Sequence, residues 1–148
     1  MSADLHDLDF YTWTHQQADL IRQGRLNELD TLHLIEELDS MGARERRELG
    51  NRLAVLLAHL LKWRHQPERR GNSWRRTIKI QRMDVADLLS DNPGLKPEAP
   101  EIFAKAYQKA RLLAADETSL DEAIFPAAPP FSLDEALGDF WPESDTTR

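Results

Sequence analysis

Asp30, His33 and Glu37 stand at intervals of three and four residues, so on a helix they share one face. Two carboxylates and an imidazole brought together in this way supply the nitrogen and oxygen donors that suit a divalent metal. A second element contributing His59, His15 or Asp19 would complete the set, as facing helices do in bundle metalloproteins. The paired Glu-x-x-His pattern of carboxylate di-iron proteins is missing, and a polar helix face is also what a solvated surface looks like. His59 stands alone in the run Leu56-Leu57-Ala58-His59-Leu60-Leu61. It has the chemistry of a general base, but no Ser or Cys nucleophile is placed near it by sequence. Its plainer role is a histidine at the edge of a core, donating to a backbone carbonyl or a carboxylate.

The second constellation is cationic. Between Arg44 and Arg82 there are twelve Lys/Arg against three Glu, a local charge of +9 in a chain whose formal total is −7. Arg75, Lys79 and Arg82 recur at i, i+4 and i+7, with Arg69, Arg70 and Arg76 nearby, so six cations can share one surface. Such a stripe repels itself unless an anion lies opposite. The anion can be external, an acidic protein or a nucleic acid whose phosphates release counterions on binding. It can also be internal, from Asp30, Glu36, Glu37 and Asp39. Overall acidity and the lack of any nucleic-acid-binding motif make a protein the expected partner, with nucleic acid the alternative.

These residues need elements to hold them. Asp7 or Asp9 can cap a helix running to about Gln23 and stopped by Gly24, with Phe10, Trp13, Gln17, Leu20 and Ile21 on its inner side. A second helix is expected from the Asn27 cap to Met41, stopped by Gly42, its arc of Leu34, Ile35, Leu38 and Met41 packed on neighbours. A third runs from Ala43 to Gln66. Its residues Leu49, Leu53, Leu56, Leu60 and Trp63 step by 4, 3, 4, 3, the seam of a helix lying along a partner. Arg64 falls in the same apolar arc and calls for a carboxylate, Glu36 or Glu37. Pro67 then opens a turn, and Asn72 or Ser73 caps a fourth helix to about Ser90. There Trp74, Ile78, Gln81, Val85 and Leu88 repeat the same steps, so the pair reads as an antiparallel hairpin. A fifth helix begins at Pro97 or Pro100 and reaches about Glu117, and Ser132 with Glu135 forms a capping-box pattern for a brief last one. Phe140 and Trp141 should dock on the bundle.

The expected fold is therefore all-α: a single-domain bundle of about five helices with a short C-terminal helix and wrap, spanning residues 1–142, followed by a frayed tail at 143–148. A chain of 148 residues can bury such a core without staples. The absence of cysteine excludes disulfides, thiol catalysis and thiolate zinc. With no signal-like or membrane-length apolar segment, the expected setting is the cytoplasm, away from membranes. No Gly-rich phosphate loop or catalytic motif stands out, so no cofactor is expected and an interaction module is favoured, with a helical-bundle metalloprotein or enzyme using Asp30, His33, Glu37 and His59 as the alternative.

The motifs Asp9-Phe10-Tyr11-Thr12-Trp13, Ile35-Glu36-Glu37-Leu38 and Ser40-Met41-Gly42 resemble a known family, most sharply from Leu56 to Arg82 in HLLKW, QPERR, SW and TIKIQR. The family is that of uncharacterised bacterial proteins catalogued as domain of unknown function number twenty-nine. The resemblance covers nearly the whole chain and implies an all-helical fold. It carries over no catalytic or binding residue. Arg76 stands where the family more often has a small residue.

Overall fold

The computed structural model describes residues 4–143. The fold is all-α, with no strand among the described residues. The described residues form six α-helices: α1 (Leu5–Leu8), α2 (Phe10–Arg22), α3 (Thr31–His65), α4 (Asn72–Asp91), α5 (Ala99–Thr118) and α6 (Leu133–Leu137). None is long and apolar enough to cross a membrane. The chain divides into two compact units, residues 1–44 and 45–148. The frayed tail expected at the C-terminus falls, beyond Glu143, outside the described residues.

In the first unit Asp9 caps α2, its carboxylate accepting from the Thr12 amide at 3.0 Å. The helix ends in a Schellman motif: Gly24 adopts φ 72°, its amide bonds the Ile21 carbonyl, and the Arg25 amide reaches back to Leu20. Gly24 thus terminates a helix by entering the left-handed region. Gly42 does not. It lies inside α3, which runs unbroken for 35 residues, where the sequence suggested two helices meeting at this glycine. The residues that follow it, Ala43-Arg44-Glu45-Arg46-Arg47-Glu48-Leu49, are strong helix formers without a proline. Helix continuation there outweighs the roughly 1 kcal/mol that an interior glycine costs. Nor does Asn27 cap this helix: it sits in a 3-10 turn (Leu26–Glu28), and Asp30 stands at the head of α3, its carboxylate 3.4 Å from the His33 amide.

The second unit holds the apolar core. Leu49, Leu53, Leu56 and Leu60 are fully buried, and Trp63 nearly so, as their spacing requires. Ile78 and Val85 of α4, Phe103, Tyr107 and Ala110 of α5, and Phe125, Phe131 and Ala136 of the C-terminal segment join the same cluster. The α4 seam contains Gln81, whose Oε1 has no partner among the described residues. The alanines of α5 bring its backbone close to the cluster. Tyr107 donates to the Pro126 carbonyl at 2.5 Å, and burial pushes its phenol up to about 12. Ser132 and Glu135 form the expected capping box at the start of α6. Trp141 docks on Trp63 with ring centroids 4.6 Å apart.

Candidate functional site

In the first unit the chemistry-bearing residues collect around the start of α3. Asp30 is held from three sides. The Trp13 indole N–H donates to its Oδ2 at 3.0 Å, His33 Nδ1 lies 2.7 Å from the same oxygen, and its backbone N–H donates to Gln17 Oε1 at 2.8 Å. Trp13 and Gln17 are the buried residues among those described in this unit, so what interior it has is built on Asp30. One turn further on, Glu37 Oε1 meets His6 Nε2 at 2.7 Å, and His6 Nδ1 faces Asp7 Oδ1 at 2.9 Å. Glu37 therefore takes His6, not Arg64, as its partner. The His6 and His33 rings stack, 4.0 Å between centroids and 8° from parallel. Asp4 stands 4.0 Å from His33 Nε2.

The electrostatics follow from these contacts. Hydrogen bonds that His6 donates to Glu37 and then to Asp7 raise its pKa, and that of His33 is raised first by its bond to Asp30. Asp30 is lowered, chiefly by His33 and also by Trp13. Each imidazole has one nitrogen fixed by a carboxylate, Asp30 for His33 and Glu37 for His6. Carboxylate-backed histidines are the usual ligands of protein-bound metals. Donor atoms of His6, Asp7 and His33 all lie within 4.8 Å of one another.

The structure thus brings together Asp30, His33 and Glu37 and adds His6 and Asp7. No helical spacing pointed to these two, because a separate four-residue helix carries them. His59 is not part of the cluster. It belongs to the second unit, where its Nδ1 donates to the Val55 carbonyl at 2.9 Å and its Nε2 lies 3.4 Å from Lys62 Nζ. Burial lowers its pKa. Lys62, almost fully buried, bonds Glu117 and lies 5.0 Å over the Trp74 ring. This Lys62–Glu117 pair escaped the sequence reading because it joins helices 55 residues apart. His15 and Asp19 line an open depression beside α2, bonded to the Tyr11 carbonyl and to Arg22.

The six candidate cations Arg69, Arg70, Arg75, Arg76, Lys79 and Arg82, all in the second unit, divide into two groups. Arg82 donates Nε to the Ala136 carbonyl at 2.8 Å, bonds the Phe140 carbonyl, and lies over the Trp141 ring. Burial lowers its pKa. Arg70 donates Nε to the Trp63 carbonyl at 2.6 Å and Nη2 to the Pro142 carbonyl at 3.4 Å. Both are half-buried staples for the C-terminal segment. The other four, Arg69, Arg75, Arg76 and Lys79, are exposed. Arg75 bonds Asn72 and lies 5.4 Å over Trp63. Among the described residues none of the six forms an ion pair with a carboxylate. On the outer face of α4, Ile80 and Met83 are 53% and 65% exposed, and helical spacing places them beside Arg76 and Lys79.

The model of a family described as Domain of unknown function DUF29 matches residues 5–141, a span that covers both units. No curated protein and no solved structure matches the chain.

Proposed function

We propose that this chain, which belongs to the DUF29 family, is a small cytoplasmic interaction module that docks an acidic protein segment on the outer face of α4. The observation that carries this reading is the composition of that face. Arg76 and Lys79 alternate with Ile80 and Met83, so cationic and large apolar side chains share one exposed arc. An amphipathic acidic helix complements such a surface, with apolar anchors between charges that steer the encounter. Nucleic acid is the weaker match, because aliphatic Ile80 and Met83 offer no stacking platform for bases. Arg70 and Arg82 belong to the support of this surface, and Arg69 and Arg75 flank it.

The test is a fluorescence-anisotropy titration of the protein against labelled poly-glutamate, an amphipathic acidic peptide, and single- and double-stranded nucleic acids over a salt series. Preferential, salt-sensitive binding of the amphipathic peptide that is lost in Arg76→Gln/Lys79→Gln and weakened in Ile80→Ser/Met83→Ser supports the reading. Binding of all polyanions alike, untouched by Ile80→Ser/Met83→Ser, points to phosphate contacts. No binding even at low salt rejects it.

A second reading, a bundle metalloprotein, rests on the His6, Asp7 and His33 donors, with Asp30 and Glu37 behind the two histidines. A bound ion would draw one nitrogen from each ring and tilt the rings out of their stack, displacing Asp7 from its bond to His6. Elemental analysis of tag-free protein tests it: stoichiometric metal that disappears in His6→Gln and His33→Gln supports this site, and metal-free protein that takes up none on titration rejects it.

A further inference from the structure

We infer that α3 pairs antiparallel with α3 of a second copy of this chain, crossing near Ser40. The starting point is an arc whose large apolar side chains stand mostly exposed among the described residues. Leu34, Leu38, Met41 and Glu45 step by 4, 3, 4 along one side of α3, with Ile35 and Gly42 on one flank of that side and Glu37 and Arg44 on the other. Ile35, Leu38 and Met41 are 55%, 66% and 56% exposed, although three such side chains in register are the composition of a buried seam. The neighbouring elements of the first unit do not cover them. The short helix α1 and helix α2 attach through His6–Glu37, His6–His33 and Trp13–Asp30, which lie on the polar side of α3.

The pattern of the arc identifies its occupant. About Ser40 the helix carries Glu36, Glu37 and Asp39 before it and a net positive stretch after it, in which Arg44, Arg46 and Arg47 outnumber Glu45 and Glu48. A two-fold axis between Asp39 and Ser40 sets Leu38 against Met41 of the second copy, twice, at the centre, Leu34 against Glu45 of the second copy, twice, at the ends of the seam, and Glu37 against Arg44 of the second copy, twice, along its flank. Ile35 then falls over Gly42 of the second copy, where a Cβ would meet nothing within 4 Å, so the glycine that fails to end the helix leaves room for that side chain. A parallel pairing sets Glu37 beside Gly42 and Arg44 beside Leu49, with no charge matched. The surface is thus complementary to itself in one orientation, as an isologous dimer requires. Glu37 uses one oxygen for His6 and has a second for Arg44 of the other chain.

Sedimentation velocity of the full chain over a concentration series tests this, with far-UV circular dichroism as the control for folding. The expected result is a reversible dimer. Leu38→Glu, a change at an exposed position, weakens the dissociation constant by about 100-fold because it strikes both central layers. Arg44→Glu sets acid against acid and weakens it by roughly tenfold, and Glu37→Arg combined with Arg44→Glu restores it. A monomer at every concentration overturns the proposal. So does a dimer indifferent to Leu38→Glu, or one that Glu37→Arg/Arg44→Glu fails to rescue while helix content is unchanged.

Discussion

The two ends of α3 obey different physics. From Leu49 to Leu60 its seam is sealed by apolar side chains from α4, α5 and the C-terminal segment, and no seam residue touches water. From Ile35 to Met41 a seam of similar composition lies open, and the first unit is held by polar contacts instead: Trp13 and His33 on Asp30, His6 on Glu37. Apolar burial is non-directional and indifferent to pH. Charge-assisted hydrogen bonds are directional and depend on protonation. One helix therefore carries a closed apolar core at one end and, at the other, an exposed apolar arc beside polar contacts whose strength depends on protonation.

The contrast can be broken most forcefully by substitution along the helix. Leu56→Ala should lower the free energy of unfolding by about 2–5 kcal/mol, the cost of a cavity in a closed core. The same truncation at the open end, Leu38→Ala, should change it by no more than about 0.5 kcal/mol, because that side chain is already in solvent. Denaturant melts of the two variants at low protein concentration measure the difference, and equal losses would erase the distinction between the two ends.

A smaller effect is expected at the staple. Arg82→Gln removes donors from the Ala136 and Phe140 carbonyls and a cation from the face of Trp141. A loss of about 1–3 kcal/mol follows if these carbonyls stay out of water. Amide exchange should show it first in residues 131–142, with the Leu49–Leu60 seam still protected. Arg76→Gln, on the exposed face, should leave stability and exchange unchanged.

The smallest effect sharpens the comparison through pH. His6 and His33 should titrate above the ordinary 6.5, because carboxylates favour their protonated forms, and His59 below it, because burial disfavours its charge. A histidine whose folded pKa is raised adds stability that is complete below the unfolded value and is lost as pH climbs through the folded one. The polar contacts of the first unit should therefore loosen on going from about pH 6 toward alkaline pH. Asp30, lowered from 3.8, keeps its contribution until the pH falls beneath that value. NMR titration of the imidazole Cε1 protons reads all three histidines, and a common pKa for them would contradict the separation.

Much of this was legible from residue spacing. The 4, 3, 4, 3 steps of Leu49 to Trp63 and of Trp74 to Leu88 marked the two seams, because a helix can bury a stripe only at that period. The Ser132–Glu135 capping box and the Gly24 stop were readable for a similar reason: each satisfies backbone groups within a few residues. Gly42 was misread as a stop, since a glycine stays inside a helix where the residues on both sides favour helical continuation, and nothing local forces the chain to turn there. Of the candidate metal ligands, Asp30, His33 and Glu37 were visible as a helix face. His6 and Asp7 were not, because they reach that face from another element.

The sequence by itself determined the helical class, the buried seams of Leu49–Trp63 and Trp74–Leu88, and the Asp9, Gly24 and Ser132–Glu135 caps, all of which depend on residues within one or two turns of each other. Tertiary structure alone decided which cations are staples and which are exposed, and which histidines lie together. Arg82 and Lys79 are neighbours in sequence with the same charge. One meets backbone carbonyls 54 and 58 residues away and the other meets solvent, a difference that depends on where the returning chain lies.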